Sequence, residues 1–323
     1  MPETTFREAL RQTLREELLA DERVILMGED IGAYGGSYAV TKGFLDEFGP
    51  ERIRDTPISE SVIVGCGIGA AMGGLRPIVE LMTINFSLLA FDQIVNNAAK
   101  ICYMSGGQIH VPLVIRMASG AGSQLASQHS QSLEGWYAHI PGLKVAVPYT
   151  PHDARALLKT ACRDPNPVIF IEHTALYSRK GEVPDEDYDI PFGKAEVYRE
   201  GNDVTIIGYS GSVYQANGAA DLLAEQGCQA EVINLRTLRP LDIDTILASV
   251  RKTHRAVVVE DDWKFGGFAG EIAALIMEGA FDELDAPVAR VCGVDVPIPY
   301  AKELEQAALP SERQIVDAAL AMM

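Results

Sequence analysis

Cysteine is scarce and badly placed for cooperation. The 323 residues hold five, Cys66, Cys102, Cys162, Cys228 and Cys292. An odd number, far apart and without paired metal-ligand spacing, excludes a disulfide framework and a zinc cluster. Such thiols read as reduced and mostly buried, and they predict a reducing compartment, with the cytoplasm as the expected location. Positive charge is short as well: 27 Lys and Arg stand against 45 Asp and Glu, for a net charge of −18. With no basic stripe to compensate, nucleic acid is not an expected partner. No apolar run reaches membrane-spanning length, so no membrane segment is expected. The opening residues Met1 to Glu8 carry neither a signal pattern nor an Arg- and Ser-rich transit pattern. Nucleophile-elbow, P-loop, metalloprotease and zinc patterns are missing too, which argues against hydrolase and simple nucleotide-binding chemistry.

What is present is a globular composition, 47% hydrophobic and 22% charged, in a chain long enough for two domains. Apolar runs that read as buried strands recur at Val24 to Met27, Pro77 to Met82, Val111 to Met117, Leu143 to Pro148 and Val168 to Ile171. Helical spacing separates them, as at Phe6 to Leu19 and Leu88 to Tyr103. Residues 178–195 combine charge, Gly and Pro without periodicity and read as a linker. Alternation then restarts, with strands expected at Val204 to Gly208, Gln229 to Asn234, Ala256 to Val259 and Val288 to Val291. Helices are expected at Val213 to Ala224, Ile243 to Val250, Ala269 to Glu278 and Glu312 to Met322. The pattern predicts an α/β protein of two doubly wound, mostly parallel-sheet domains, 1–177 and 196–323.

Glu60 is the most informative single residue. It ends the turn-like segment Asp55-Thr56-Pro57-Ile58-Ser59-Glu60 and enters a small, apolar run. Desolvation there disfavours its charged form and suits proton transfer, while a solvated acid at a helix start reads equally well. Glu29 and Asp30 follow a strand-like run, at the strand end where ligands collect in open parallel sheets. The Gly65-x-Gly67-x-x-Ala70 run approximates a dinucleotide fingerprint, but it lacks the preceding strand and reads better as a helix whose small residues allow close approach of another helix or subunit. His129, in the polar loop Gln128-His129-Ser130-Gln131, is a candidate proton carrier. Phe86 reads as core or as a stacking surface for a flat ligand ring. Asp164 and Asn166 form a turn or hold a hard monovalent cation.

The ordered stretches Gly28-Glu29-Asp30, Asp55 to Glu60, Asn85-Phe86-Ser87, Tyr103 to Gly107, Gln128 to Gln131, Pro141 to Val145, Ile233 to Thr237 and Val296 to Lys302 resemble the beta subunits of thiamine diphosphate-dependent 2-oxo acid dehydrogenases. Within that family the pyruvate dehydrogenase type is most similar, with acetoin and branched-chain types as alternatives. The resemblance implies a pyrimidine-binding domain followed by a transketolase C-terminal-like domain, in an α2β2 heterotetramer with a shared active site. The Gly-Asp-Gly motif that holds magnesium and the cofactor's diphosphate is missing from this sequence and falls to an alpha subunit. By the same resemblance Glu60 bonds the aminopyrimidine, Phe86 packs against it, and His129 handles acyl transfer to lipoamide. Glu29 joins a network between the two cofactors. Leu113, Ala161, Cys162, Asp164 and Asn166 match potassium-binding positions, with Pro165 a departure. Asp285 and Met323 fall where related chains meet the dihydrolipoyl acyltransferase core. A nucleotide-binding oxidoreductase and a non-catalytic scaffold are the remaining alternatives.

Overall fold

The computed structural model describes residues 3–184 and 188–323. The chain forms two compact units: 1–119 with 136–192, and 120–135 with 193–323. Segment 120–135, sequence-adjacent to the first unit's strands, thus belongs to the second.

The first unit opens with β1 (Glu3–Thr5) and helix α1 (Phe6–Ala20), in which Thr5 accepts the Glu8 N–H as N-cap. The buried face Phe6, Leu10, Leu14 and Leu18 has the three-and-four spacing of an amphipathic helix. Next come β2 (Val24–Gly28), α2 (Phe44–Phe48), β3 (Ile53–Asp55), α3 (Glu60–Met72) and β4 (Arg76–Thr83). After the short helix α4 (Ile101–Met104) follow β5 (Val114–Ser119), α5 (Glu134–Ala138), β6 (Lys144–Ala146), α6 (Pro151–Arg163), β7 (Val168–His173) and β8 (Lys180–Glu182). The central strands lie in the order β6-β7-β5-β4-β2-β3, every pairing parallel. The path runs outward from β2 to β3 and then back across to β4, so the order reverses beside β2. In open α/β sheets ligands bind outside the carboxyl ends of strands at such a reversal.

Two expectations are corrected. The single helix over Leu88 to Tyr103 is broken into a 3-10 turn at Phe86–Ala90, a π-helical turn at Gln93–Ala98 and α4. The break falls where the backbone of Gly142 packs onto the Ala99 carbonyl, so closely that a Cβ on Gly142 would stand 2.0 Å from that oxygen. Segment 178–195 is more than a connection. Its residues 185–187 lie outside the described part, but Lys180–Glu182 pairs antiparallel with Glu3–Thr5 and Ile190 is buried in the first unit's core.

The second unit contains β9 (Glu196–Arg199), β10 (Val204–Gly208), α7 (Gly211–Ala224), β11 (Ala230–Asn234), β12 (Thr237–Arg239), α8 (Ile243–Thr253), β13 (Ala256–Trp263), α9 (Phe268–Ala280), β14 (Ala289–Gly293), α10 (Lys302–Ala308) and α11 (Glu312–Leu320). Its sheet has the order β14-β13-β10-β11-β9, parallel except for the edge strand β9. The apolar runs of β10 and β11 are buried along their whole length, as a sheet covered on both faces requires.

Candidate active site

Glu29, the segment leading to Glu60, and Phe86 follow the carboxyl ends of β2, β3 and β4, which are neighbours in the sheet. Close backbone contacts fix this end. A Cβ on Gly28 would meet the Glu80 carbonyl oxygen at 2.6 Å, which leaves β2 no alternative to glycine at its last residue. Asp55 then accepts the N–H groups of Gly32 at 2.6 Å and Ala33 at 3.0 Å, holding the loop after β2 against the end of β3.

Glu60 is the first residue of α3, yet only 4% exposed, and Glu29 is 8% exposed. The two readings of Glu60 therefore combine: it stands at a helix N-terminus and is buried. Burial pushes the Glu29 carboxyl up, and the negative charge of Glu60 adds to the effect, while a hydrogen bond from the Ser59 N–H opposes it. A buried carboxyl beside a second negative charge is costly to ionise, and Glu29 is in that position. Among the described residues, Glu29 Oε1 and the hydroxyls of Thr56 and Thr83 are buried without a hydrogen-bond partner. These orphaned atoms belong to the same strand ends, and a polar ligand reaching that edge would satisfy them. Phe86 is half-buried at the start of its 3-10 turn, directly after buried Asn85.

His129 lies in the second unit, exposed, in the loop before α5, where its N–H donates to the Ala126 carbonyl at 3.2 Å. His152 stacks on Tyr188 and His254 faces the Glu283 carbonyl, both in structural settings.

The glycine run sits in the body of α3, away from any strand-to-helix turn, so it is not built to cradle a pyrophosphate. Gly67 is the position that needs glycine, because a Cβ there would meet Val79 at 2.8 Å and Leu113 at 3.1 Å. The opposite stripe, Val62, Cys66, Gly69 and Gly73, is exposed along the helix.

Leu113 directly precedes β5, and Val114 pairs with Val168 at the start of β7, which brings Leu113 to the turn between α6 and β7. In that turn Asp164 pairs with Lys144, Asn166 N–H donates to Asp164 Oδ1 at 2.9 Å, and Arg76 donates to the Cys162 carbonyl at 2.8 Å. The Ala161 and Leu113 carbonyls accept from Asp164 at 3.2 Å and Val168 at 2.9 Å. Each carbonyl keeps a second lone pair, so this donor set suits a weakly held cation bound by backbone oxygens. Among the described residues no group of three or more His, Cys, Asp or Glu side chains converges on a metal site. In the second unit Arg255 pairs with Asp285 at 2.9 Å and donates to the Met322 carbonyl at 2.8 Å, beside exposed Met323.

A cluster passed over in the sequence is Arg116 between Glu172 and Glu80, at 2.7 and 2.8 Å. Three charged residues interrupt three apolar strands, and Glu80 pairs in register with Arg116. That interruption was the available signal.

Residues 3–180 match the transketolase pyrimidine-binding domain family and residues 193–315 the transketolase C-terminal domain family. The chain is 53% identical over 321 residues to the pyruvate dehydrogenase E1 component subunit beta-2, mitochondrial, of Oryza sativa, covering 98% of this chain and 85% of the relative. It is 51% identical over 314 residues to the pyruvate dehydrogenase E1 component subunit beta of Rickettsia felis, covering 97% and 96%. The chain belongs to the pyruvate dehydrogenase E1 beta-subunit family. Among solved structures, one described as a split-gene transketolase, inactive beta4 tetramer, aligns with TM-score 0.78 at 25% identity over 98% of this chain and 97% of its own. E1 beta subunits thus share the two-unit α/β fold of transketolase, and the pyrimidine-binding half is the unit that carries Glu29, Glu60 and Phe86.

Proposed function

We propose that the chain is the beta half of a pyruvate dehydrogenase first component that works with an alpha subunit in an α2β2 heterotetramer. It takes part in oxidative decarboxylation of pyruvate and in acetyl transfer to lipoamide on the dihydrolipoyl acyltransferase. The observation that carries this reading is the buried Glu29 and Glu60 pair at the sheet's reversal point, with orphaned polar atoms beside it. When bound, thiamine diphosphate supplies a nucleophilic carbon and an electron sink for loss of carbon dioxide. Glu60, with its carboxyl buried at the start of α3, would hold the aminopyrimidine and serve as the acid through which a proton could pass. Glu29 is the second acid of the pair, buried beside the same strand ends. Phe86 offers a ring face on which the aminopyrimidine rests. His129 supplies an imidazole proton during acyl transfer.

Magnesium and the diphosphate fall to the alpha subunit, since this chain has no motif for them. Potassium fits the carbonyls of Leu113, Ala161, Cys162, Asp164 and Asn166, where it would stiffen the α6–β7 turn. Asp285, paired with Arg255, and Met323, next to the Met322 carbonyl that Arg255 bonds, are proposed to meet the acyltransferase core. The cytoplasm is the proposed compartment, supported by five free cysteines.

The test is Glu60→Gln in the reconstituted heterotetramer. Assembly is expected to persist while decarboxylation falls by roughly 10²-fold or more, the scale of a lost proton-transfer group. Full activity would sink the assignment. Assays with pyruvate, acetoin and branched 2-oxo acids rank the substrates, whose small apolar differences are worth only ~1–3 kcal/mol.

A further inference from the structure

The loop that carries His129 is held from the far end of the sequence. Glu305, on α10 and 1% exposed, accepts the Gly122 N–H at 2.9 Å through Oε1, and the Gln124 N–H at 3.1 Å through each carboxylate oxygen. Among the described residues no Lys, Arg or His pairs with it, so these backbone donors are what compensates its buried charge. Hydrogen bonds to an ionised acceptor are roughly twice as strong as neutral ones.

The loop needs such a hold. Gln124 and Ala126 lie at φ 55° and 66°, in the left-handed region that non-glycine residues avoid, and Gly120 and Gly122 lie at 89° and 102°. Conformations of this kind persist only where the surroundings over-determine them. A small apolar cluster of Ala121, Ile298, Ala308 and Leu309 joins the loop root to the ends of α10. The Val294 N–H donates to the Ala308 carbonyl at 2.9 Å and fixes that helix just after β14. From the clamp the chain needs only five residues to reach His129, whose N–H closes back on Ala126.

We propose that Glu305 is the positioning residue for His129: its carboxylate sets the backbone at Gly122 and Gln124, and so where the imidazole stands. This rests on the reading that His129 serves acyl transfer. Removing the clamp should therefore harm transfer to the lipoyl group more than decarboxylation.

The experiment compares Glu305→Ala, Glu305→Gln and His129→Ala in the reconstituted heterotetramer. Three readouts are taken: hydrogen exchange of peptides covering 120–131, pyruvate-driven reduction of an artificial acceptor, and acetylation of an isolated lipoyl domain. In Glu305→Ala the loop amides are expected to exchange at least tenfold faster, and lipoyl acetylation to fall at least tenfold with acceptor reduction much less affected. Glu305→Gln should recover part of both losses, because one amide oxygen in the place of Oε1 still accepts from Gly122 and Gln124. Unchanged exchange in Glu305→Ala overturns the clamp. Faster exchange with intact acetylation, while His129→Ala abolishes acetylation, overturns the positioning role. If His129→Ala itself acetylates normally, the reading of His129 fails, and with it the positioning role, while the exchange data still decide whether Glu305 holds the loop.

Discussion

Glu29 and Glu60, from the end of β2 and the start of α3, bury two carboxyl groups within reach of each other's charge, and the Ser59 N–H partly offsets the pair on the Glu29 side. A raised carboxyl is penalised when ionised. Its penalty is absent below the unfolded pKa and grows as pH rises towards the folded one. Glu29→Gln is accordingly expected to raise the thermal midpoint at pH 8 and to leave it nearly unchanged at pH 4.5. An equal effect at both would show that Glu29 acts by packing.

The same sign governs Glu260 in the second unit, which is fully buried and pushed up to about 7 by burial first, with a smaller contribution from Asp262. The Tyr209 hydroxyl and the Ala269 N–H donate to its Oε2 at 3.2 and 3.0 Å and limit the rise. Against the ordinary value of 4.5, the shift corresponds to about 3 kcal/mol of stability lost as pH climbs from 4.5 to 7. Glu260→Gln should flatten that part of the stability–pH curve in thermal melts. A parallel curve would refute the assignment.

Arg116 pairs with both Glu172 and Glu80 in the middle of the first unit's sheet. Breaking a buried pair by removing one partner costs about 3–5 kcal/mol, because the remaining charge is stranded. Arg116→Met is expected to lose that much, and more at pH 8 than at pH 5, since burial holds the Glu80 carboxyl above its ordinary value and acid neutralises it. Equal losses at the two pH values would point to packing instead.

Gly67→Ala tests how tightly α3 lies on the sheet. The added methyl meets Val79 and Leu113 inside normal contact distance, and overpacking of this kind costs about 1–3 kcal/mol. Gly69→Ala, with nothing within 4 Å, should raise the chain's melting by the helix-propensity gain alone, up to ~1 kcal/mol. The pair of melts separates packing from helix propensity, which favours alanine at both sites.

The alternation of apolar runs made the sheets legible, and strand β10 appears over the residues expected for it, Val204–Gly208. Short strands were not legible: Ile53–Asp55 carries Arg54 and Asp55, and its parallel pairing with β2 comes from tertiary contact. The pieces over 86–104 kept a helical spacing while the break falls at the Gly142 approach to Ala99, a contact no local window contains. At the site, Glu29, Glu60 and Phe86 were visible as residues after strand-like runs. What sequence could not supply was the sheet order that makes β2, β3 and β4 neighbours, or the reach of Glu305 across 183 positions to Gly122.

The pairing of Glu3 with Glu182 has one more consequence. Strand β1, before the first helix, lies alongside β8, some 175 positions later, at about 5 Å, the spacing of adjacent strands. Each segment supplies the other's backbone partners, so the two are expected to open together and not singly.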